Sequence, residues 1–155
     1  NGSTSNYIEN IEPDATILGN DQWIWFENEL NDDFDFLFIF SSIQIIAKDH
    51  RFEKWSNFPY ERYKFLNLID KFSDKTILFS GDRHRAGIYR KNGILEITSS
   101  SMNKPGSSFD EIDKYLIGET YPQENYSVLE IFENIIQIKI KDINGTNLNS
   151  ISYKY

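Results

Sequence analysis

The sequence predicts an α/β fold of mixed α+β character, in which one βαβ unit is followed by antiparallel hairpins. Two near-continuous apolar runs, at residues 34–40 and 76–79, flank a segment with helical spacing. Such runs are typical of strands that are buried on both faces of a sheet. Further along the chain, Asn-Gly and Glu-Asn pairs separate strand-like segments, which is the pattern of hairpins. We therefore expect a mixed sheet.

Composition limits the classes of protein that this chain can represent. A length of 155 residues suits one domain with a hydrophobic core. The hydrophobic content of 39% and the aromatic content of 15% argue against disorder. A net charge of −8 and the lack of a basic patch make a nucleic-acid partner unexpected. The absence of cysteine excludes disulfides, and no segment approaches the roughly 18 apolar residues that a membrane helix needs.

The chain opens on a polar, aperiodic stretch over residues 1–16, which predicts a lead-in loop. A helix is expected to begin near Gly19-Asn20-Asp21, because Trp23, Phe26 and Leu30 follow at helical spacing.

The βαβ unit is expected next. After its first strand, Ser41 to Phe58 forms a long connection, and connections of that length inside a compact domain are usually functional. Pro59 suits the first position of a helix. The apolar positions of that helix are Phe65, Leu66, Ile69 and Phe72. Thr76–Phe79 is the second strand.

The antiparallel part follows the βαβ unit. Gly87–Arg90 and Ile94–Thr98 are predicted to form one hairpin. Ser127–Phe132 and Ile135–Lys141 form a second, and a last strand is expected near Ile151–Tyr153.

The most chemically suggestive segment is Ser80-Gly81-Asp82-Arg83-His84, which directly follows the second buried strand. Side chains at the carboxyl ends of parallel strands project into a crevice where α/β proteins keep their chemistry. Asp82 and His84 are potential metal ligands, two residues apart. A dinuclear hydrolytic site needs roughly five to seven protein ligands, however. Taken alone, the motif is a weak signal, and a structural turn or a surface salt bridge is the favoured interpretation.

A second polar turn follows the first buried strand. In a βαβ unit both strand ends open at the same sheet edge, so Gln44 of Ser41-Ser42-Ile43-Gln44 is expected to face Asp82 and His84. The alternative is a loop amide that satisfies nearby backbone groups.

Three further side chains are open to two interpretations. Trp55, in the long connection, can form a substrate wall or cover the core. Arg62, one turn into the second helix, can line the site or form a salt bridge with Glu61 or a nearby carboxylate. His50 stands among charged residues and is expected to be a solvated loop histidine.

Five segments, in this order and with sensible spacing, resemble the carboxyl-terminal half of the PhoD-like (alkaline phosphatase D) metallophosphatases. They are Leu18–Phe26, Ser41–Gln44, Trp55–Arg62, Ser80–His84 and Glu96–Asn103. The resemblance extends from about Pro13 to the end. It implies that residues 17–155 are the carboxyl-terminal part of a single metallophosphoesterase domain.

The resemblance implies the calcineurin-like metallophosphoesterase core, a two-sheet sandwich with flanking helices. It also implies a divalent or mixed metal centre (Ca, Fe, Mn or Zn) that activates a water for attack on phosphate mono- or diesters. In this family Gly-Asp-x-His occupies the place of the Gly-His-x-His motif of the wider superfamily. By that match Asp82 and His84 become candidate metal ligands, and Gln44, Trp55 and Arg62 become candidate site lining. Family habit favours an extracellular or periplasmic location.

The sequence departs from the family in one large respect. The amino-terminal half of the family supplies most metal ligands, including an Asp near its first strand and a Trp-Asp-Asp-His-type block, and neither is present in this chain. An incomplete ligand set leaves water and phosphate insufficiently activated. We therefore expect this part alone to be inactive and its main partner to be the missing amino-terminal half. The alternative is a non-catalytic binding or structural module derived from the same fold.

Overall fold

The computed structural model describes residues 7–106 and 110–154. Residues 1–6, with which the predicted lead-in loop begins, lie outside the described residues. The helices are α1 (Gly19–Glu29) and α2 (Pro59–Asp70), with a short 3₁₀ turn at Trp55–Asn57. The strands are β1 (Leu37–Ser41), β2 (Thr76–Ser80), β3 (Ala86–Lys91), β4 (Ile94–Ser99), β5 (Leu116–Tyr121), β6 (Asn125–Ile131), β7 (Ile135–Asp142) and β8 (Asn147–Lys154).

Two sheets organise these strands. The larger has the order β1-β2-β4-β3-β5, in which β1, β2 and β4 run parallel and β3 runs antiparallel between β4 and β5. The smaller is the antiparallel sheet β6-β7-β8. The predicted mixed fold is confirmed: β1-α2-β2 is the expected βαβ unit, and both expected hairpins are present. Strand β5 was not predicted.

The larger sheet lies in the middle of three layers. Its two faces belong to different hydrophobic cores, so that Leu78 packs in the core with α1 and α2, whereas its neighbour Ile77 packs in the core with the smaller sheet. This burial on both faces is why the strand reads as a continuous apolar run. Each fully buried Leu or Ile stabilises the fold by about 1.5–3 kcal/mol.

Local chemistry explains where the elements begin and turn. Pro59 stands at the start of α2, as predicted, where its missing N–H costs nothing. The β3–β4 hairpin turns at Asn92 and Gly93, whose φ angles of 50° and 88° both lie in the left-handed region. Two consecutive residues of that kind match the right-handed twist of paired strands.

The start of α1 is capped by a residue of α2. Helix α1 has no side-chain cap of its own at Leu18. Instead, the Glu61 carboxylate accepts hydrogen bonds from the backbone N–H groups of Ile17 and Leu18, from the Thr16 hydroxyl and, at 2.6 Å, from the Trp23 indole. Glu61 therefore joins the two helices and does not form the salt bridge with Arg62 that the sequence allowed.

The three parallel strands end in serine, at Ser41, Ser80 and Ser99. We call this row of carboxyl-terminal strand ends the serine edge of the larger sheet. From the end of β2, residues 81–85 must pass over β4 to reach β3, a sideways step of two strand spacings, about 10 Å. This short crossover carries Asp82 and His84.

Within the described residues, no helix is long and apolar enough to cross a membrane.

Candidate functional site

The crossover turn alternates between outward and inward side chains. Asp82 is exposed and His84 is half-buried, whereas Arg83 between them is 6% exposed. Asp82 and His84 have φ angles of 66° and 51°. Non-glycine residues in the left-handed region cost about 1–3 kcal/mol each and cluster at functional sites.

Asp82 and His84 are chemically free within the part of the chain that the structure describes. Neither side chain forms a hydrogen bond or ion pair with another residue in residues 7–106 and 110–154. A carboxylate and an imidazole are donors that suit Mn²⁺, Zn²⁺ or Fe. The same residues contain no group of three or more His, Cys, Asp or Glu that could hold a metal ion. This chain therefore offers a pair of candidate ligands and not a complete site.

Close backbone contacts surround this turn. A Cβ at Gly81 would lie 3.2 Å from the carbonyl oxygen of Ser42, so the turns after β2 and β1 touch at the sheet edge. A Cβ at Gly106 would overlap the carbonyl oxygen of His84. Glycine is required at position 106 because the loop passes directly against the backbone of His84.

Gln44 is fully buried beneath the turn. Its Nε2 donates to Thr98 Oγ1 at 2.8 Å, and its Oε1 accepts from Arg83 Nε at 3.0 Å. Gln44 thus contacts the residue between the candidate ligands and neither ligand itself.

Trp55 lies in the hydrophobic core that contains α1 and α2, and Arg62 lies under the β1–α2 connection. Trp55 is 2% exposed, its ring centroid lies 4.8 Å from that of Phe65, and its indole N–H donates to Ser41 Oγ at 3.2 Å. Arg62 donates to the carbonyl oxygens of Ile45 and Ile46, at 2.6 and 2.7 Å. The structure brings neither side chain into contact with Asp82 or His84 in the described residues.

Glu96 also binds the Ile45–Ile46 backbone, through the N–H groups. This wholly buried carboxylate accepts from the N–H of Ile45 at 2.7 Å and of Ile46 at 2.6 Å. Burial raises the pKa of Glu96, and the two backbone hydrogen bonds oppose that rise. The Glu96 carboxylate binds the backbone N–H groups of Ile45 and Ile46, and the Arg62 guanidinium binds their carbonyl oxygens, so every backbone polar group of these two residues is satisfied.

A buried charge network that the sequence analysis did not foresee lies under the turn. Arg83 forms an ion pair with Glu111, and the Tyr89 hydroxyl donates to the other oxygen of Glu111 at 2.8 Å. Arg85 Nε lies 3.8 Å from the same carboxylate. The guanidinium of Arg83 also lies 4.4 Å from the centre of the Phe52 ring. Arg83 is thus held on three sides.

The expectation that His50 is a solvated loop residue is wrong. His50 is 8% exposed, its Nδ1 accepts from the N–H of Phe52 at 3.2 Å, and its buried Nε2 has no hydrogen-bond partner among the described residues. Burial, followed by the charges of Arg83, Lys54 and Arg85, lowers the pKa of His50 to about 2. The imidazole is therefore neutral.

The burial of His50 depends on a contact between its segment and Asp113, which lies far along the sequence. The carboxylate of Asp113 accepts from the N–H groups of Lys48 and Asp49, at 2.6 and 2.7 Å. These contacts fold the segment against the body of the protein. The residues around His50 give no indication of this long-range contact, so the sequence alone did not predict the burial.

Two clefts lie near the strand ends. One, of about 480 Å³, lies at the serine edge of the larger sheet. Its polar lining consists of Ser41, Ser80, Ser99, Ser100, Asn103, Asn125, Tyr126 and Ser127. The other, of about 500 Å³, is an apolar groove between α1 and β1. The first cleft includes Gly81 and so adjoins the turn of Asp82 and His84.

No protein-family model matches the chain, and no curated protein matches it. Solved structures do share its fold. GAP50 of Plasmodium, described as the anchor in the inner membrane complex, matches with a TM-score of 0.72 and 16% identity over 86% of this chain. PhoD matches with a TM-score of 0.69 and 13% identity over 92% of this chain. A dimetal phosphatase from Danio rerio matches with a TM-score of 0.54 and 12% identity over 88% of this chain.

These matches show a fold that includes phosphatases. The chain spans 42% of the length of the GAP50 structure, 33% of the PhoD structure and 38% of the dimetal phosphatase. At this level of identity, the likeness concerns the arrangement of helices and sheets and not the chemistry of individual residues.

Proposed function

We propose that this chain is the carboxyl-terminal part of a metal-dependent phosphoesterase of the PhoD-like type, which hydrolyses phosphate mono- or diesters. The observation that carries the proposal is the turn after β2. There Asp82 and His84 adopt left-handed backbone conformations with no protein partner among the described residues, at the serine edge of a phosphatase-like fold. A carboxylate and an imidazole are ligand types that such metals bind, and backbone strain of this kind clusters at functional sites.

In this proposal Asp82 and His84 are two of the ligands of a centre that contains Ca, Fe, Mn or Zn. A bound metal of this kind lowers the pKa of a water and neutralises charge on a phosphate. Gln44, Trp55 and Arg62 hold the site from beneath and do not line it: Gln44 acts through Arg83, and the other two act through the β1–α2 connection. The cleft of about 480 Å³ beside Gly81 is large enough for a substrate group.

The remaining ligands belong, in this proposal, to an amino-terminal half of the same polypeptide. The outer edge of β1 has no paired strand in the described residues, and the apolar groove between α1 and β1 runs along it. A strand added there would satisfy the open edge. The chain alone would be inactive, and a location outside the cytoplasm, extracellular or periplasmic, follows from the PhoD resemblance.

The test uses the full-length protein, assayed on nitrophenyl phosphate and bis-nitrophenyl phosphate with added Ca²⁺, Fe, Mn²⁺ or Zn²⁺. We expect Asp82→Asn and His84→Ala each to lower kcat/KM and Mn²⁺ affinity by about 10-fold or more, since loss even of partners outside the ligand set costs that much. Thr76→Val, which removes a buried hydroxyl at the opposite end of β2, is the control. Unchanged rates in both site variants would refute the assignment.

The second candidate is a non-catalytic binding or structural module. Its support is the likeness to GAP50, whose description is that of an anchor, together with the lack of a three-ligand cluster in residues 7–106 and 110–154. If the full-length protein binds none of the four metals above background by calorimetry and hydrolyses neither ester, this module is the better description.

A further inference from the structure

We propose that Arg83 is a positioning residue, which holds Asp82 and His84 in their outward, left-handed conformations by anchoring the turn from inside. Its consequence for catalysis rests on the proposed function, whereas its effect on backbone geometry does not. The inference comes from the alternation along the turn, where a buried cation separates two outward side chains.

The first step is that Arg83 is anchored in three directions. Its Nε donates to Gln44 Oε1 at 3.0 Å, its Nη2 pairs with Glu111, and its guanidinium lies 4.4 Å from the centre of the Phe52 ring. The side chains of Arg83 and Glu111 are 2% and 3% exposed. Water therefore screens the ion pair very little.

The second step is that the turn needs such an anchor. Two non-glycine residues with positive φ in a span of three cost about 1–3 kcal/mol each, and they persist only when the surroundings over-determine them. Neither Asp82 nor His84 forms a side-chain hydrogen bond or ion pair within the described residues. The backbone bond from Arg83 N–H to the Gly81 carbonyl, at 2.9 Å, spans only the first half of the turn. At the centre of the turn, the Arg83 side chain supplies the polar contacts with the body of the protein, whereas the far end is held at Arg85, whose Nη1 donates to Thr120 Oγ1 at 2.8 Å and whose carbonyl oxygen accepts from Ser100.

The third step is that an arginine is needed in particular. Arg83 bonds Gln44 through Nε and Glu111 through Nη2 at the same time, while its Cζ lies over the Phe52 ring at 4.4 Å from the ring centre. A lysine ammonium is a single point charge and cannot reproduce this fork. Lysine would keep the charge beside Glu111 but lose the defined orientation.

The network also makes the test practical. If Arg83 is removed, Glu111 keeps the hydrogen bond from Tyr89 at 2.8 Å and the charge of Arg85, whose Nε lies 3.8 Å away. Glu111 is therefore not left as an isolated buried charge, whose cost would be several kcal/mol. We expect Arg83→Met to fold, and Arg83→Lys provides a milder variant if it does not.

The first measurement is independent of metal and of activity. In the full-length protein, the φ angles of Asp82 and His84 are obtained from a crystal structure or from three-bond HN–Hα couplings, for wild type, Arg83→Met and Arg83→Lys. We expect both residues to leave the left-handed region in Arg83→Met, and at least one to do so in Arg83→Lys. Thr76→Val, at the far end of β2, should leave both angles unchanged. Unchanged angles in both Arg83 variants would overturn the inference.

The second measurement links the geometry to the proposed site. Mn²⁺ affinity, measured by calorimetry, should fall about 10- to 100-fold in Arg83→Met, as it does when residues that orient metal ligands are removed. The fall in Arg83→Lys should be smaller. If the angles change but wild type binds no Mn²⁺ and hydrolyses no ester, the positioning role stands and the proposed function fails. If Mn²⁺ affinity in wild type is high and unchanged in both variants, the role of Arg83 in the site is refuted.

Discussion

At the scale of single residues, the conformation of the turn after β2 depends on Arg83, a residue that the sequence analysis did not single out. Asp82 and His84 attract attention because they are ligand types, but their conformation depends on the buried Arg83. From the sequence, Arg83 is an ordinary charged residue in a polar turn. Only the fold shows that Glu111, 28 residues further on, meets it inside the protein.

His50 supplies a prediction about pH at this scale. Its pKa is about 2 in the folded chain, chiefly because of burial, and about 6.5 when unfolded. Between these values the unfolded chain binds more protons than the folded one, so the free energy of unfolding falls as pH falls. The slope from this one group is at most about 1.4 kcal/mol per pH unit. We expect urea unfolding of the full-length protein to show this loss between pH 6 and pH 4.

The matched variant for that measurement is His50→Gln, which keeps a polar side chain but cannot take up the proton. All other titratable groups are the same in both proteins, so their contribution cancels in the difference. Wild type should lose about 2–3 kcal/mol more than His50→Gln over this range. Parallel stability curves would mean that His50 is not a buried neutral imidazole.

At the scale of elements, the sequence predicted those that local chemistry marks. Pro59 opens α2, the Asn92-Gly93 pair turns a hairpin, and the apolar run at Thr76–Ser80 is a strand buried on both faces. Strand β5 has no such mark. It is half-exposed, and its polar and apolar residues do not alternate cleanly. It also carries Gly118 with a φ of 75° and pairs with β3 through an irregular register. Its pairing with β3, and not its own propensity, defines it.

The cap of α1 gives a prediction at this scale. Glu61→Ala removes the acceptor of the Ile17 and Leu18 N–H groups and of the buried Trp23 indole. Leaving such donors unsatisfied costs about 1–3 kcal/mol each when they stay buried. We expect the free energy of unfolding to fall by about 2–3 kcal/mol and amide exchange to accelerate in α1 more than in β7.

The control for the capping variant is Asn67→Ala, an exposed position on the same helix as Glu61. An exposed substitution of this kind should change stability by no more than about 0.5 kcal/mol. If the two variants cost the same, or if exchange in α1 is unaltered by Glu61→Ala, then Glu61 does not hold the helix.

At the scale of the whole molecule, this chain carries two candidate metal ligands, and within the described residues its larger sheet has an open lateral edge. The larger sheet is closed by β5 on one side, whereas β1 is open on the other in the part of the chain that the structure describes. Sequence reasoning could place Asp82, His84 and Gln44 at one edge because parallel strands end together. It could not predict that Gln44, Trp55 and Arg62 lie beneath that edge, since their burial depends on contacts with Arg83, Phe65 and the Ile45–Ile46 backbone.

The open edge leads to a prediction about association. Phe40 is 76% exposed at the end of β1, where its ring stacks on Phe79 at 4.9 Å. An apolar strand with unpaired backbone groups is a template for pairing with another chain, and a lysine on it opposes such pairing. By sedimentation velocity, we expect this chain expressed alone to associate and Phe40→Lys to associate less. Ile143→Lys, which adds the same charge at an exposed position of the β7–β8 turn, should associate as wild type does.

The same substitution should have the opposite consequence in the full-length protein if an amino-terminal half covers β1. There Phe40 would be buried, and Phe40→Lys would bring an unpaired charge into an apolar contact, which costs several kcal/mol. Stability would then fall well below that of Ile143→Lys, whose site stays exposed. If Phe40→Lys is as stable as Ile143→Lys in the full-length protein, β1 is not covered at Phe40, and the remaining metal ligands do not arrive along this edge.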